Sequence, residues 1–194
     1  MTRTTTSEVD LVGDETTLNI ARTVLFASLM GAFAFVSFPY PFSPAPVTLQ
    51  VLGVFLAGLL LGPLWGLAAM VLYLLAGAVG APVFAGGSAG IGVLVGPTGG
   101  YLLSYPIAAA AIGYIAHGGP TLADLRTVPD IRLLGAMVAG TVVIYGLGVP
   151  FLLYNLDLSL RTAIVTGAIV FIPAEVAKAI AAYLVVRVNS IRAE

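Results

Sequence analysis

Run after run of this chain passes close to twenty residues with scarcely a charge, and that pattern constrains the fold more than any other feature. A helix needs about 20 apolar residues to cross the roughly 30 Å hydrocarbon core of a bilayer, where backbone groups must bond internally and side chains must tolerate lipid. The runs read as Ile20 to Phe38, Thr48 to Leu61, Leu64 to Gly80, Tyr101 to Ala116, Leu133 to Tyr154 and Thr162 to Val186. They predict an all-α integral membrane protein, a compact bundle of about six transmembrane helices. Only 9% of the residues are charged, against roughly 25% in soluble domains. The expected organisation is a polar cytoplasmic tail over 1–18, one six-helix membrane domain over 19–190 and a cytoplasmic tail over 191–194.

The connections carry their own information. Pro39, Pro41, Pro44 and Pro46 forbid regular helix after the first run. Gly62-Pro63 breaks the apolar stretch between the second and third runs, which predicts a tight hairpin there. Residues 81–100 are glycine-rich yet almost wholly uncharged. Irregular backbone at membrane depth is tolerated only inside protein or along a cavity, so this segment is expected to fold back over the bundle's outer end as a lid. Small residues four apart, among them Ala27 and Gly31, let helix backbones approach closely. The first run, with few bulky polar groups, is also the candidate face for a partner, at Ala27 and Gly31.

Charge excludes several functions. A net charge of -1 with no basic patch argues against nucleic acid as partner. With six crossings and a cytoplasmic amino terminus, Arg3, Arg22, Arg126, Arg132, Arg187 and Arg192 fall inside and only Arg161 outside. The absence of cysteine removes thiolate metal sites and thiol nucleophiles. His117 is the single histidine, expected at a surface helix end, so no metal site is expected. The glycine segment has no lysine and completes no phosphate-binding fingerprint.

Glu175 and Lys178 are the exception to the pattern, a charged pair within the sixth apolar run. A charge at bilayer depth costs at least about 2.5 kcal/mol on insertion scales, so such residues mark function more often than packing. Their spacing of three places both on one helical face, with Phe171 on the same stripe and Pro173 loosening the helix just before them. A carboxylate accepts hydrogen bonds and an ammonium donates them, so together they suit a ligand offering both N–H and carbonyl groups. Gln50, at the start of the second run, is placed to dip into such a pocket, and Tyr73, Phe84 and Tyr101 to supply aromatic walls. A self-sufficient ion-coupled carrier using Glu175 is the alternative within transport. An intramembrane enzyme is disfavoured, since Lys178 is the only other charged group at depth.

Four stretches, Pro46-Val47-Thr48-Leu49-Gln50, Leu59-Leu60-Leu61-Gly62-Pro63, Gly80-Ala81-Pro82-Val83-Phe84-Ala85-Gly86-Gly87 and Gly96-Pro97-Thr98-Gly99-Gly100-Tyr101-Leu102, resemble the BioY biotin-transport proteins in order and across most of the chain. The family's sixth-helix motif runs Pro-Gly, Asp or Glu, two residues, then Lys. Here Pro173-Ala174-Glu175-Val176-Ala177-Lys178 stands in its place, with Ala174 for the usual glycine and Glu175 for the commoner aspartate. The resemblance implies a six-helix substrate-binding (S) component of an energy-coupling factor (ECF) transporter in the cell membrane, with both termini cytoplasmic. It implies biotin bound near the outward face, Glu175 accepting from the ureido N–H groups and Lys178 donating to the carbonyl. It implies a transmembrane coupling subunit and two ATPases as partners, and no cofactor beyond the transported ligand. Another small vitamin, or a biotin precursor, is the alternative ligand.

Overall fold

The computed structural model describes residues 13–191. The expected tail residues 1–12 and 192–194, with Arg3 and Arg192, lie outside them. The described residues form seven α-helices: α1 (Asp14–Phe35), α2 (Gln50–Ala78), α3 (Ile91–Val95), α4 (Gly99–His117), α5 (Asp130–Asn155), α6 (Leu160–Gly167) and α7 (Ile172–Ile191). The first helix starts at Asp14, so the last residues expected in the polar tail are helical.

Among the described residues five helical runs are long and apolar enough to cross a bilayer, and a hairpin within α2 makes them six crossings. A straight helix of α2's 29 residues would be about 43 Å long. Gln50 Nε2 nevertheless donates to the Tyr73 hydroxyl at 2.7 Å, which only antiparallel arms permit. The reversal is at Gly62, with φ 76° and ψ -175°, a region open essentially to glycine alone. Pro63 follows, and its fixed φ suits the first position of the returning arm. The hairpin expected at Gly62-Pro63 is therefore present.

Helix α4 lies between α2 and α5, and α1 packs on α2. The core is apolar, built around Met30, Phe55, Leu59, Met70, Ile112 and Ile144. The outer faces are apolar too: Leu25, Ile107, Val142 and Ile180 are exposed. In water such a surface is a liability, whereas in a bilayer it meets a solvent as apolar as itself. The chain is a multi-pass membrane protein.

Ala27 and Gly31 are buried, and a Cβ on Gly31 would stand 3.2 Å from Val83. The small side chains there admit the protein's own glycine-rich segment. The expected docking role for these two positions is corrected, because the face they occupy is already covered.

At one end of the bundle lie the Gly62 turn, the 118–129 connection and the end of α7. His117 is buried there rather than on the surface, because both ring nitrogens are needed. The Ala123 N–H donates to Nδ1 at 3.0 Å, which leaves Nε2 as the donor to the Leu59 carbonyl at 2.9 Å. Arg187 donates to the Leu125 and Val128 carbonyls, both at 2.8 Å, and pairs with Asp130. These bonds tie α7, the connection and the hairpin turn together.

The other end carries the site. The proline loop is the tip of a two-stranded ribbon, β1 (Ser37–Phe38) antiparallel to β2 (Val47–Thr48), with Ser37 opposite Thr48. The glycine-rich segment is more ordered than its composition implies, with a 3-10 turn at Ala85–Gly87 and then α3. It is pinned where Gly90 N–H donates to the Gly77 carbonyl at 2.7 Å and the Tyr73 hydroxyl to the Val83 carbonyl at 3.0 Å. The sixth crossing is not one helix. It breaks at Ala168 (φ -136°, ψ -59°), passes through a 3-10 turn at Ile169–Phe171 and resumes as α7.

Candidate functional site

The break in the sixth crossing decides where the charged pair stands. Sequence reasoning places Glu175 and Lys178 deep within a continuous span, but Glu175 lies in the first turn of α7. Unpaired N–H groups give a helix start a partial positive charge, which favours a carboxylate there. The break also frees carbonyls that need donors, and tyrosines from other elements supply them. Tyr101 on α4 donates to the Gly167 carbonyl at 2.7 Å, and Tyr40 on the proline loop donates to the Val170 carbonyl at 3.2 Å.

A cavity of about 200 Å³ opens beside the pair. Its walls come from the start of α2, from α4, α5 and α7, and from the break; Ala45, Pro46 and Val47 of the proline loop and Ala85 and Ser88 of the glycine segment also line it. Both connections at this end of the bundle therefore cover the cavity, where sequence reasoning expected the glycine segment alone. Glu175 and Lys178 face the cavity with side chains 7% exposed. Lys178 Nζ donates to Glu175 Oε1 at 2.8 Å, and the Tyr145 hydroxyl donates to the same oxygen at 2.9 Å. The second oxygen, Oε2, is buried and has no hydrogen-bond partner among the described residues. Buried carboxylate oxygens are ordinarily paired, so an orphan at the wall of a cavity points to a donor arriving with a ligand.

Of the other expected site residues, Gln50, Tyr101 and Phe171 line the same cavity. Gln50 is held from both sides, accepting from the Thr48 hydroxyl at 3.0 Å while its Nε2 donates to Tyr73. Phe171 packs obliquely on Tyr145 with ring centroids 6.2 Å apart, and Tyr40 packs on it at 5.6 Å. Tyr73 and Phe84 are not among the lining residues, which corrects the aromatic-wall expectation for both. Phe84 is fully buried, edge-on to Tyr73 at 5.5 Å, and its ring fills the space where Gly77 lacks a side chain. Tyr73 acts behind the wall, joining Gln50 to the glycine segment.

Sequence reasoning missed Tyr105 and Tyr145, which also line the cavity. A signal was present: Tyr101 and Tyr105 are one helical turn apart, and Tyr145 lies inside a span rather than at a bilayer interface, where tyrosines usually gather.

Comparison with known proteins agrees with this architecture. The BioY family model matches residues 3–193. A biotin transporter BioY of Rhizobium etli is 36% identical over 177 residues, covering 88% of this chain and 92% of the relative. One from Thermotoga maritima is 38% identical over 161 residues, covering 83% of this chain and 89% of the relative. Among solved structures, the S-component for biotin from an ECF-type ABC transporter superposes with a TM-score of 0.83, at 24% identity and 95% coverage of each chain, and shares the fold. With the model matched across nearly its whole length, this chain belongs to the BioY family.

Proposed function

We propose that this protein is the biotin-binding membrane subunit of a vitamin uptake transporter. The observation that carries the reading is the Glu175 carboxylate, one oxygen held by Lys178 and Tyr145 and the other buried at the cavity wall without a partner among the described residues. Biotin's ureido ring offers an N–H beside a carbonyl. Oε2 accepts the N–H, and Lys178, which has two ammonium hydrogens beyond the one given to Glu175, donates to the carbonyl. Tyr101, Tyr145 and Phe171 flank the bicyclic ring. The related proteins are transporters, and the site is a binding site rather than a catalytic one.

The cavity end faces outward and both termini lie in the cytoplasm, in keeping with the excess of arginine at the opposite end. Uptake against a gradient needs an energy source, and the sequence carries no phosphate-binding loop with its lysine. A transmembrane coupling subunit and two ATPases supply that energy, and they meet a surface other than the covered Ala27 and Gly31 positions.

Calorimetric titration of the detergent-solubilised protein with biotin, and with thiamin and riboflavin as controls, tests the reading. Saturable binding of biotin alone is the expected result. Silence toward biotin, or binding of a control vitamin instead, would overturn it.

A further inference from the structure

A cyclic urea presents its carbonyl between two N–H groups that point away from each other. One carboxylate can accept from only one of them, so Glu175 and Lys178 together read a single edge of the ring. The second N–H, beyond the carbonyl, needs an acceptor elsewhere in the cavity. A buried donor left without one weakens binding roughly 5- to 150-fold.

Most polar groups lining the cavity are already engaged. The Thr48 hydroxyl and Gln50 Oε1 are bonded to each other, and Gln50 Nε2 is bonded to Tyr73. The Tyr101 hydroxyl donates its proton to the Gly167 carbonyl and the Tyr145 hydroxyl to Glu175, which fixes both orientations while leaving each oxygen able to accept. Thr98 also lines the cavity with no side-chain hydrogen bond among the described residues, but it is only half-buried, whereas Tyr105 is buried. It lines the cavity at 4% exposure, yet its hydroxyl makes no hydrogen bond among the described residues. A hydroxyl that opens onto a cavity and bonds to nothing in the protein keeps both its donor and its acceptor sites for what fills that cavity.

We propose that Tyr105 is a specificity-determining residue whose hydroxyl accepts the second N–H of the ligand's cyclic urea, the one that Glu175 does not take. This inference rests on the biotin reading above. It divides recognition of the ring between two walls of the bundle, α7 for one edge and α4 for the other. A ligand with a single N–H beside its carbonyl satisfies only the first.

The test uses Tyr105→Phe, which removes one oxygen and keeps the ring. Wild type and variant are titrated with biotin and with two lactam analogues, in each of which one urea N–H is replaced by CH2. The variant is expected to bind biotin roughly 5- to 150-fold more weakly. One lactam should bind both proteins equally, because the contact is already missing, while the other shows the full loss. The ligand-free variant should melt no lower than wild type, since no bond within the protein is removed. Equal biotin affinity of the two proteins, or the same loss for biotin and both lactams, would overturn the assignment while leaving the biotin reading intact. A wild type silent to biotin would overturn both.

Discussion

Replacing Glu175 and Lys178 together, as Glu175→Leu with Lys178→Met, separates a pair kept for binding from one kept for folding. The two side chains are 7% exposed and joined at 2.8 Å. Removing one partner leaves the other charge buried and unmatched, so Lys178→Met alone should destabilise the ligand-free protein by about 3–5 kcal/mol. Removing both eliminates the buried charges altogether, and such replacements range from neutral to about 1–4 kcal/mol stabilising. Part of that gain is offset here because the Tyr145 hydroxyl loses its acceptor. The double variant should therefore melt well above the single one and close to wild type. Binding should move the other way. Two charge-assisted hydrogen bonds to the ligand, at about 1.5–3 kcal/mol each, correspond to roughly 140- to 20,000-fold weaker biotin binding. Thermal unfolding in detergent and calorimetric titration measure the two effects on the same preparations. A double variant with wild-type affinity would refute the site. One that melts as low as Lys178→Met would show that the pair braces the fold.

Two further outcomes test the frame around the site. Gly62→Ala forces a Cβ into a backbone region reserved for glycine and against Leu122, so it should cost about 1–3 kcal/mol and lower the thermal midpoint; an unchanged midpoint would contradict the hairpin geometry. His117→Ala removes the bonds to the Leu59 carbonyl and the Ala123 amide, worth about 0.5–1.5 kcal/mol each. It should lower the melting temperature while leaving biotin affinity unchanged, because the histidine lies at the end of the bundle opposite the cavity.

Much was legible from local signals. Long uncharged runs, the Gly62-Pro63 break and the glycine-rich segment depend on residue type and spacing alone, and they led to six crossings with a hairpin and a folded-back connection. Glu175 and Lys178 stood out because a charge in an apolar run is expensive wherever the run ends up. Gln50, Tyr101 and Phe171 were placed at the pocket by position along their helices. Tyr73 and Phe84 were misassigned because an aromatic residue reads the same whether it faces a ligand or packs one layer behind it, and only the Gly77 gap shows where Phe84 goes. His117 read as a surface residue because its partners, Leu59 and Ala123, belong to other elements.

By itself the sequence determined the solvent this protein lives in, the number of times it crosses, and the pair of charges it could not keep without a purpose. Hydrophobicity and spacing are properties of the chain before it folds. Tertiary structure decided the rest: that the sixth crossing breaks and sets Glu175 at a helix start, that Tyr145 and Lys178 share one of its oxygens, and that at the cavity wall the other oxygen has no partner among the described residues. Which groups are engaged and which are left over depends on contacts between residues far apart in the chain, and those exist only once the helices have packed.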